Sequence, residues 1–161
     1  MITDAASIND RIQAVLDKPF YSPGGVVATP LIYSDHLSEH SGCNVYLKCE
    51  NFQTTGSFKI RGATSAILNL SKSDKSKGVI TASSGNHGAA TASAAQAQGM
   101  PVSIYVPTSI SSVKEIKITD LGARLIKIEG AGENAEREAV KAAREEGLTY
   151  VSPYNHVDAF L

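Results

Sequence analysis

The sequence predicts an α/β fold built on an open, parallel, four-stranded sheet with flanking helices. Three observations carry this expectation. Four short apolar runs, near residues 79–82, 102–106, 124–128 and 149–151, have the length and β-branched character of strands. Amphipathic or alanine-rich helical stretches separate them, and strands that alternate with helices pair in parallel through right-handed crossovers. Glycine or proline punctuates the stretches at Gly99, Pro101, Pro107, Gly122 and Gly147.

The elements follow in order. Ser7 and Asp10 form an S-x-x-D capping pattern around Ile8, Ile12, Val15 and Leu16, whose spacing predicts a helix over residues 8–17. Pro19, Pro23, Gly24 and Gly25 end it in a loop. Thr29-Pro30-Leu31-Ile32 reads as extended, because a residue before proline avoids the helical region. Ser34 caps a short helix to about His40, and Ser41-Gly42 closes it. Val45 to Glu50 alternates apolar and polar, which predicts a strand with Val45, Leu47 and Cys49 facing inward. From Ser57, the residues Ile60, Ala63, Ile67 and Leu70 share one helix face. Val79–Ala82 is a short strand, followed by an alanine-rich helix from about Asn86 to Gln98 and a strand over Val102–Val106. Ser112-Val113-Lys114-Glu115 reads as a capping box whose helix turns Val113, Ile116 and Leu121 inward. Arg124–Ile128 is a strand, Glu133–Glu146 a charged helix with an inner stripe of Ala135, Ala139, Val140 and Ala143, and Thr149–Val151 the last strand.

Composition excludes several classes. A chain of 161 residues that is 42% hydrophobic supports the core of about one domain. A formal net charge of −1 leaves no electrostatic footprint for nucleic acid or an acidic membrane. No apolar run reaches the length of a membrane span, and the first thirty residues lack a signal-peptide core. Asp4, Asp10 and Asp17 argue against a transit peptide, so a cytoplasmic address is expected. Cys43 and Cys49 can form one bridge, but a reduced intracellular pair is the expectation, and their spacing fits no metal motif. His36 and His40 share a helix face without the glutamate of H-E-x-x-H, so no metal site is expected.

Two stretches carry chemistry. Ser83-Ser84-Gly85-Asn86-His87-Gly88 follows a strand and opens a helix. Open parallel sheets bind ligands at the carboxyl ends of their strands. A helix start offers unpaired N–H groups and a partial positive charge, and Gly85 and Gly88 permit close backbone approach. The expected guest is a carboxylate or a phosphate. Ser83 or Ser84 with His87 does not read as a hydrolase nucleophile, because Gly-x-Ser-x-Gly is absent. The second stretch, Gly56 to Ala63, sets Lys59 between Phe58 and Ile60 at a helix start. A lysine amine can form an imine with an aldehyde and later act as a base.

Taken together, Ser57–Ala63 and Ser83–Gly88 resemble the two signatures of fold-type-II pyridoxal-phosphate enzymes in the threonine/serine dehydratase (ammonia-lyase) and serine racemase group. Asn51-Phe52-Gln53, Thr55-Gly56 and Thr29-Pro30-Leu31 fit as well, and the resemblance runs from about residue 5 to 161. It implies pyridoxal 5'-phosphate as cofactor, with Lys59 holding its aldehyde and then moving the substrate Cα proton. It implies that Phe58 flanks the pyridine ring and that Asn86 hydrogen-bonds its phenolic oxygen. Ser83, Ser84, Gly85, Asn86 and His87 would grip the α-carboxylate of a small amino-acid substrate through backbone N–H groups. The implied reaction removes water and ammonia from L-threonine or L-serine, leaving 2-oxobutanoate or pyruvate.

Ser84 fits the racemase pattern, in which a serine on the far face of the ring exchanges the Cα proton, whereas Pro153-Tyr154 fits the dehydratase pattern. Serine racemase is therefore the alternative. The resemblance also divides the chain: residues 1–50 as the N-terminal part of a large domain, 51–155 as a small α/β domain, and 156–161 as the start of a continuation of the large one. It covers only the N-terminal half of the family. Gly130-Ala131-Gly132 is a weak imitation of the family's glycine-rich phosphate loop. A truncated record of a longer enzyme, or a non-catalytic remnant, is the expectation from another class. The full-length parent is expected to be a homodimer or homotetramer.

Overall fold

Two sheets organise the chain, whose computed structural model describes residues 9–10, 13–14, 16–22 and 25–154. Asn9, Asp10, Gln13, Ala14 and Leu16 are helical, within the helix the capping pattern predicts. Ser7, Ile8, Ile12, Val15, Pro23, Gly24 and residues 155–161 lie outside the described residues.

The first sheet is an antiparallel pair. Strand β1 (Leu31–Tyr33) runs against β2 (Tyr46–Lys48), with Ile32 opposite Leu47. Between them, helix α1 (Asp35–Ser41) begins where the Ser34 hydroxyl accepts from the Leu37 N–H and ends at Gly42, φ 70°. The expected inward face of β2 is corrected here. Leu47 is 45% exposed, and Leu31, Ile32 and Tyr46 are exposed with it. A two-stranded ribbon has no second layer of its own, so alternation in its sequence marks a face that needs cover rather than one that has it. A 3₁₀ turn at Glu50–Phe52 leads out of the ribbon.

Helix α2 (Lys59–Leu68) comes next, and it buries Ile60, Ala63 and Ile67 as their spacing requires. A short helix α3 (Lys72–Lys77) follows, begun by the Ser71 hydroxyl accepting from the Asp74 N–H. Sequence reading missed α3, although Ser71-x-x-Asp74 is a legible capping signal.

The second sheet is the expected parallel one. Its strands are β3 (Val79–Ala82), β4 (Val102–Pro107), β5 (Arg124–Ile128) and β6 (Thr149–Tyr150), in the order β5-β4-β3-β6. Helices α4 (Asn86–Ala97), α5 (Ser112–Thr119) and α6 (Gly132–Glu146) make the crossovers. Side chains alternate across the sheet with period two. Val79, Ile104 and Val106 pack with α2 and α4 on one face, and Ile80 and Tyr105 pack with Ala135, Ala139 and Ala143 of α6 on the other. Alanine lets α4 approach both α2 and the sheet, and Ala90, Ala92 and Ala95 are fully buried.

Helix α5 departs from its predicted face. Its N-cap is Ser111, without a side-chain capping bond, so the Ser112 capping box does not form. Val113 is 75% exposed and Ile116 is exposed too, while Ile118 is fully buried; Leu121, just past the helix, packs against the core as expected. The helix rolls so that Ile118 meets the start of α4, where its Cδ1 lies 3.5 Å from the position a Cβ on Gly88 would take. No helix among the described residues is long and apolar enough to cross a membrane.

Candidate active site

The strand order reverses at β3, because β4 lies on one side of it and β6 on the other. In open α/β sheets the crevice beyond the carboxyl ends at such a reversal is where ligands sit. A cavity of about 410 Å³ lies there. Ser83, Ser84 and Gly85, just after β3, form one wall. Tyr105 and Pro107 close the end of β4, Glu133 and Glu136 come from the first turns of α6, and Pro153 and Tyr154 follow β6.

The Ser83–Gly88 loop is shaped by its glycines. A Cβ on Gly88 would overlap the Ser83 carbonyl oxygen, so the first turn of α4 can lie on the loop backbone only with glycine there. The N-cap of α4 is Gly85, and no side chain caps the helix. Its positive pole therefore stays open to an anion. The ring of His87 points elsewhere. It is buried, with Nε2 3.1 Å from the Val151 carbonyl oxygen, and ties α4 to the end of β6.

Lys59 is the first residue of α2, and its Nζ donates to the Pro153 carbonyl oxygen at 2.9 Å. Pro153 stands on the cavity wall, so the half-buried lysine reaches the rim of that cavity. The Phe58 ring lies beside it, 5.5 Å from Nζ to centroid, and is 59% exposed.

What holds the start of α2 is a charge cluster two residues on. Arg61 donates through Nε and Nη2 to both carboxylate oxygens of Glu50, at 2.8 and 2.9 Å. The Thr29 hydroxyl and the Gln53 amide also donate to Glu50, and the backbone N–H of Val27 donates to Gln53 Oε1. The Arg61 guanidinium, helped by these donors, holds the Glu50 carboxyl down at about 2. The same bond raises the Arg61 pKa above its ordinary value. A bidentate pair of this kind fixes orientation as well as distance, and here it fixes the first turn of α2 to the segment that enters and leaves the ribbon.

Of the residues singled out from sequence, Ser83, Ser84 and Gly85 line the cavity, and the Lys59 amine, with the Phe58 ring beside it, bonds to the carbonyl of the lining residue Pro153. Asn86 is exposed and lines an adjoining recess of about 210 Å³ with Ser84, Gly85, Lys114 and Lys117. Gly130 takes φ 97° in the turn from β5 to α6, where Asn134 Nδ2 donates to the Glu129 carbonyl oxygen, so the turn itself accounts for that glycine. Sequence reading missed Tyr105, Glu136 and Tyr150. The Tyr150 hydroxyl donates to Glu136 Oε1 at 3.3 Å, and burial together with that carboxylate raises the phenol's pKa. Glu136 falls outside the inner stripe of Ala135, Ala139, Val140 and Ala143 that the sequence predicts for its helix. The signal for it was position, since the first turns after a parallel strand border the ligand crevice. Among the described residues, no group of three or more His, Cys, Asp or Glu is arranged to hold a metal ion.

Known proteins share this fold and much of this sequence. Residues 23–161 match the family described as "Pyridoxal-phosphate dependent enzyme". The chain is 42% identical over 127 residues to an L-threonine ammonia-lyase of Thermotoga maritima, covering 79% of this chain and 32% of that protein. It is 37% identical over 127 residues to a β-hydroxyaspartate dehydratase of Paracoccus denitrificans, covering 79% of this chain and 40% of that protein. The structure of maize serine racemase superposes with a TM-score of 0.84 at 32% identity, over 99% of this chain and 46% of that one. The chain thus spans less than half the length of the proteins it matches.

It belongs to the fold-type-II pyridoxal-phosphate-dependent enzymes, among the relatives of threonine/serine dehydratases and serine racemases. Pyridoxal 5'-phosphate is the cofactor of that family.

Proposed function

We propose that this chain's residues serve pyridoxal-phosphate-dependent β-elimination on L-threonine or L-serine, with release of 2-oxobutanoate or pyruvate and ammonia. One observation carries it: the Lys59 amine reaches the Pro153 carbonyl at the rim of a cavity whose wall includes the Ser83–Gly85 loop. The residues present suit the cofactor. A lysine amine is held there by a carbonyl, an aromatic ring lies beside it, and a helix start without a side-chain cap borders the same cavity.

When bound, the cofactor supplies an electron sink for the charge that develops at the substrate Cα. Lys59 is assigned to hold its aldehyde covalently and, once displaced, to take the Cα proton. Phe58 is assigned to flank the cofactor ring, and Asn86 to donate to its phenolic oxygen. Backbone N–H groups of Ser83, Ser84, Gly85, Asn86 and His87 bind the substrate α-carboxylate, as an open helix pole favours. The β-hydroxyl leaves as water, and a water molecule re-enters to release the amino group as ammonia. Residues 1–50 belong to a large domain and 51–155 to a small one in this scheme. The working enzyme is cytoplasmic, as a homodimer or homotetramer of the full-length kind.

Serine racemisation is the second reading, favoured by one observation: Ser84 stands on the cavity wall. A serine there can exchange the Cα proton from the side opposite Lys59.

The test is release of 2-oxo acid from L-threonine and L-serine by the protein and by two variants. Lys59→Ala is expected to lower release by about 10³-fold or more. Ser84→Ala is expected to keep elimination and, if racemisation occurs, to remove D-serine formation. Equal release by Lys59→Ala, or no release and no cofactor uptake by the unaltered protein, contradicts the assignment and favours a non-catalytic role.

A further inference from the structure

Charge in the cavity is lopsided. The Ser83–Gly85 wall carries the positive pole of α4. Glu133 and Glu136, from the first turns of α6, also border the space. Glu136 is half-buried, and the Tyr150 hydroxyl bonded to its Oε1 helps to hold the carboxylate in place. Among the described residues, no lysine or arginine lines the cavity. With an α-carboxylate seated at the loop, as in the function proposed above, the rest of the cavity is the part that the two glutamates border.

We propose that Glu133 and Glu136 make this cavity selective for amino acids whose β-substituent is a neutral hydroxyl or a cationic amine, and against those that carry a second carboxylate. A hydroxyl or an ammonium donates to Glu136, and the bond gains strength from the charge of its acceptor. A second carboxylate meets like charge and loses its hydration on entry, while the Lys59 amine at the rim is bonded to the Pro153 carbonyl and does not line the space beside the glutamates. Selectivity of this kind is a difference of affinities made by the repulsive element as much as by the attractive one. The inference rests on the cavity being the substrate site proposed above.

The test titrates the ¹⁵N-labelled full chain, without added cofactor so that nothing turns over, and follows the amide signals of Ser83 to Gly88. L-Serine, L-2,3-diaminopropionate and L-aspartate are the probes. Serine and diaminopropionate are expected to shift these signals to saturation, with aspartate weaker by about tenfold or more. In Glu136→Gln, which keeps an acceptor for Tyr150, and in the Glu133→Gln/Glu136→Gln double variant, aspartate is expected to gain by about tenfold. Glu133→Gln alone alters only an exposed side chain, so a partial gain is readable even if the buried-side variant fails to fold. Aspartate binding as tightly as serine, or a gap unchanged in the variants that fold, overturns the selectivity. No shift with any of the three overturns the substrate-site assignment, and the selectivity falls with it.

Discussion

Lys59 and Pro153 stand 94 residues apart in the chain, yet the amine of one lies 2.9 Å from the carbonyl oxygen of the other. That bond joins the first turn of α2 to the loop after β6. It brings the one lysine of the Ser57–Ala63 motif to the point where the strand order of the parallel sheet reverses.

Removing the amine separates structure from chemistry. Lys59→Met forfeits one partly exposed hydrogen bond, so it is expected to lower unfolding stability by about 1 kcal/mol or less. Catalytic turnover is expected to vanish in the same variant. Urea unfolding and a 2-oxo acid assay on one preparation check both; a large loss of stability would mean that Lys59 is chiefly structural.

The Glu50–Arg61 pair makes a pH-dependent contribution. The Glu50 carboxyl is held at about 2 in the fold against an ordinary value of 4.5. Because its folded pKa is depressed, the stability it supplies is fully present above about pH 4.5 and is lost as pH falls toward 2. Glu50→Ala leaves the Arg61 guanidinium without its carboxylate, with only the Tyr21 hydroxyl, among the described residues, still bonded to it, and is expected to cost about 2 kcal/mol at pH 7, a figure reduced for the pair's partial exposure. Urea unfolding of both proteins at pH 7 and pH 3 should show the gap narrowing at the lower pH. A gap that widens on acidification would reverse the sign argued here.

Gly88 is a steric requirement of the loop. Alanine there drives a methyl group into the Ser83 carbonyl oxygen, and backbone must yield. Gly88→Ala is expected to cost about 1–3 kcal/mol and to displace the Ser83–Gly85 wall. Thermal unfolding reads the cost, and an unchanged midpoint would mean that the loop and helix do not touch as described.

The corrected face of α5 has its own check. Ile118→Ala empties a fully buried site and is expected to cost about 2–4 kcal/mol. Val113→Ala, at an exposed position, is expected to fall within about 0.5 kcal/mol of no change. The opposite ranking would restore the face read from sequence.

Much of this was legible in the residues. The four strands and their helices followed from apolar runs closed by glycine and proline, because parallel strands buried on both faces need little alternation to be seen. Ile60, Ala63 and Ile67 reported the inner face of α2 directly. The face of α5 was not legible, because Val113 and Ile116 lie at helical spacing as plausibly as Ile118, and only contact with Gly88 decides between them. Leu47 alternated like a core residue, but cover for a ribbon comes from other elements that local sequence does not report. In the site, Lys59 and the Ser83–Gly88 loop were legible as local motifs. Glu136 and Tyr150 were not, since their meeting depends on where α6 and β6 land after the last crossover.

The most direct measurement of the central assignment is covalent trapping. The protein is incubated with pyridoxal 5'-phosphate, reduced with borohydride and digested, and the modified peptide is identified by mass. The account predicts the added mass on the peptide that contains Lys59, and its loss in Lys59→Ala. Labelling that is undiminished in Lys59→Ala, or that falls on another lysine, would contradict it.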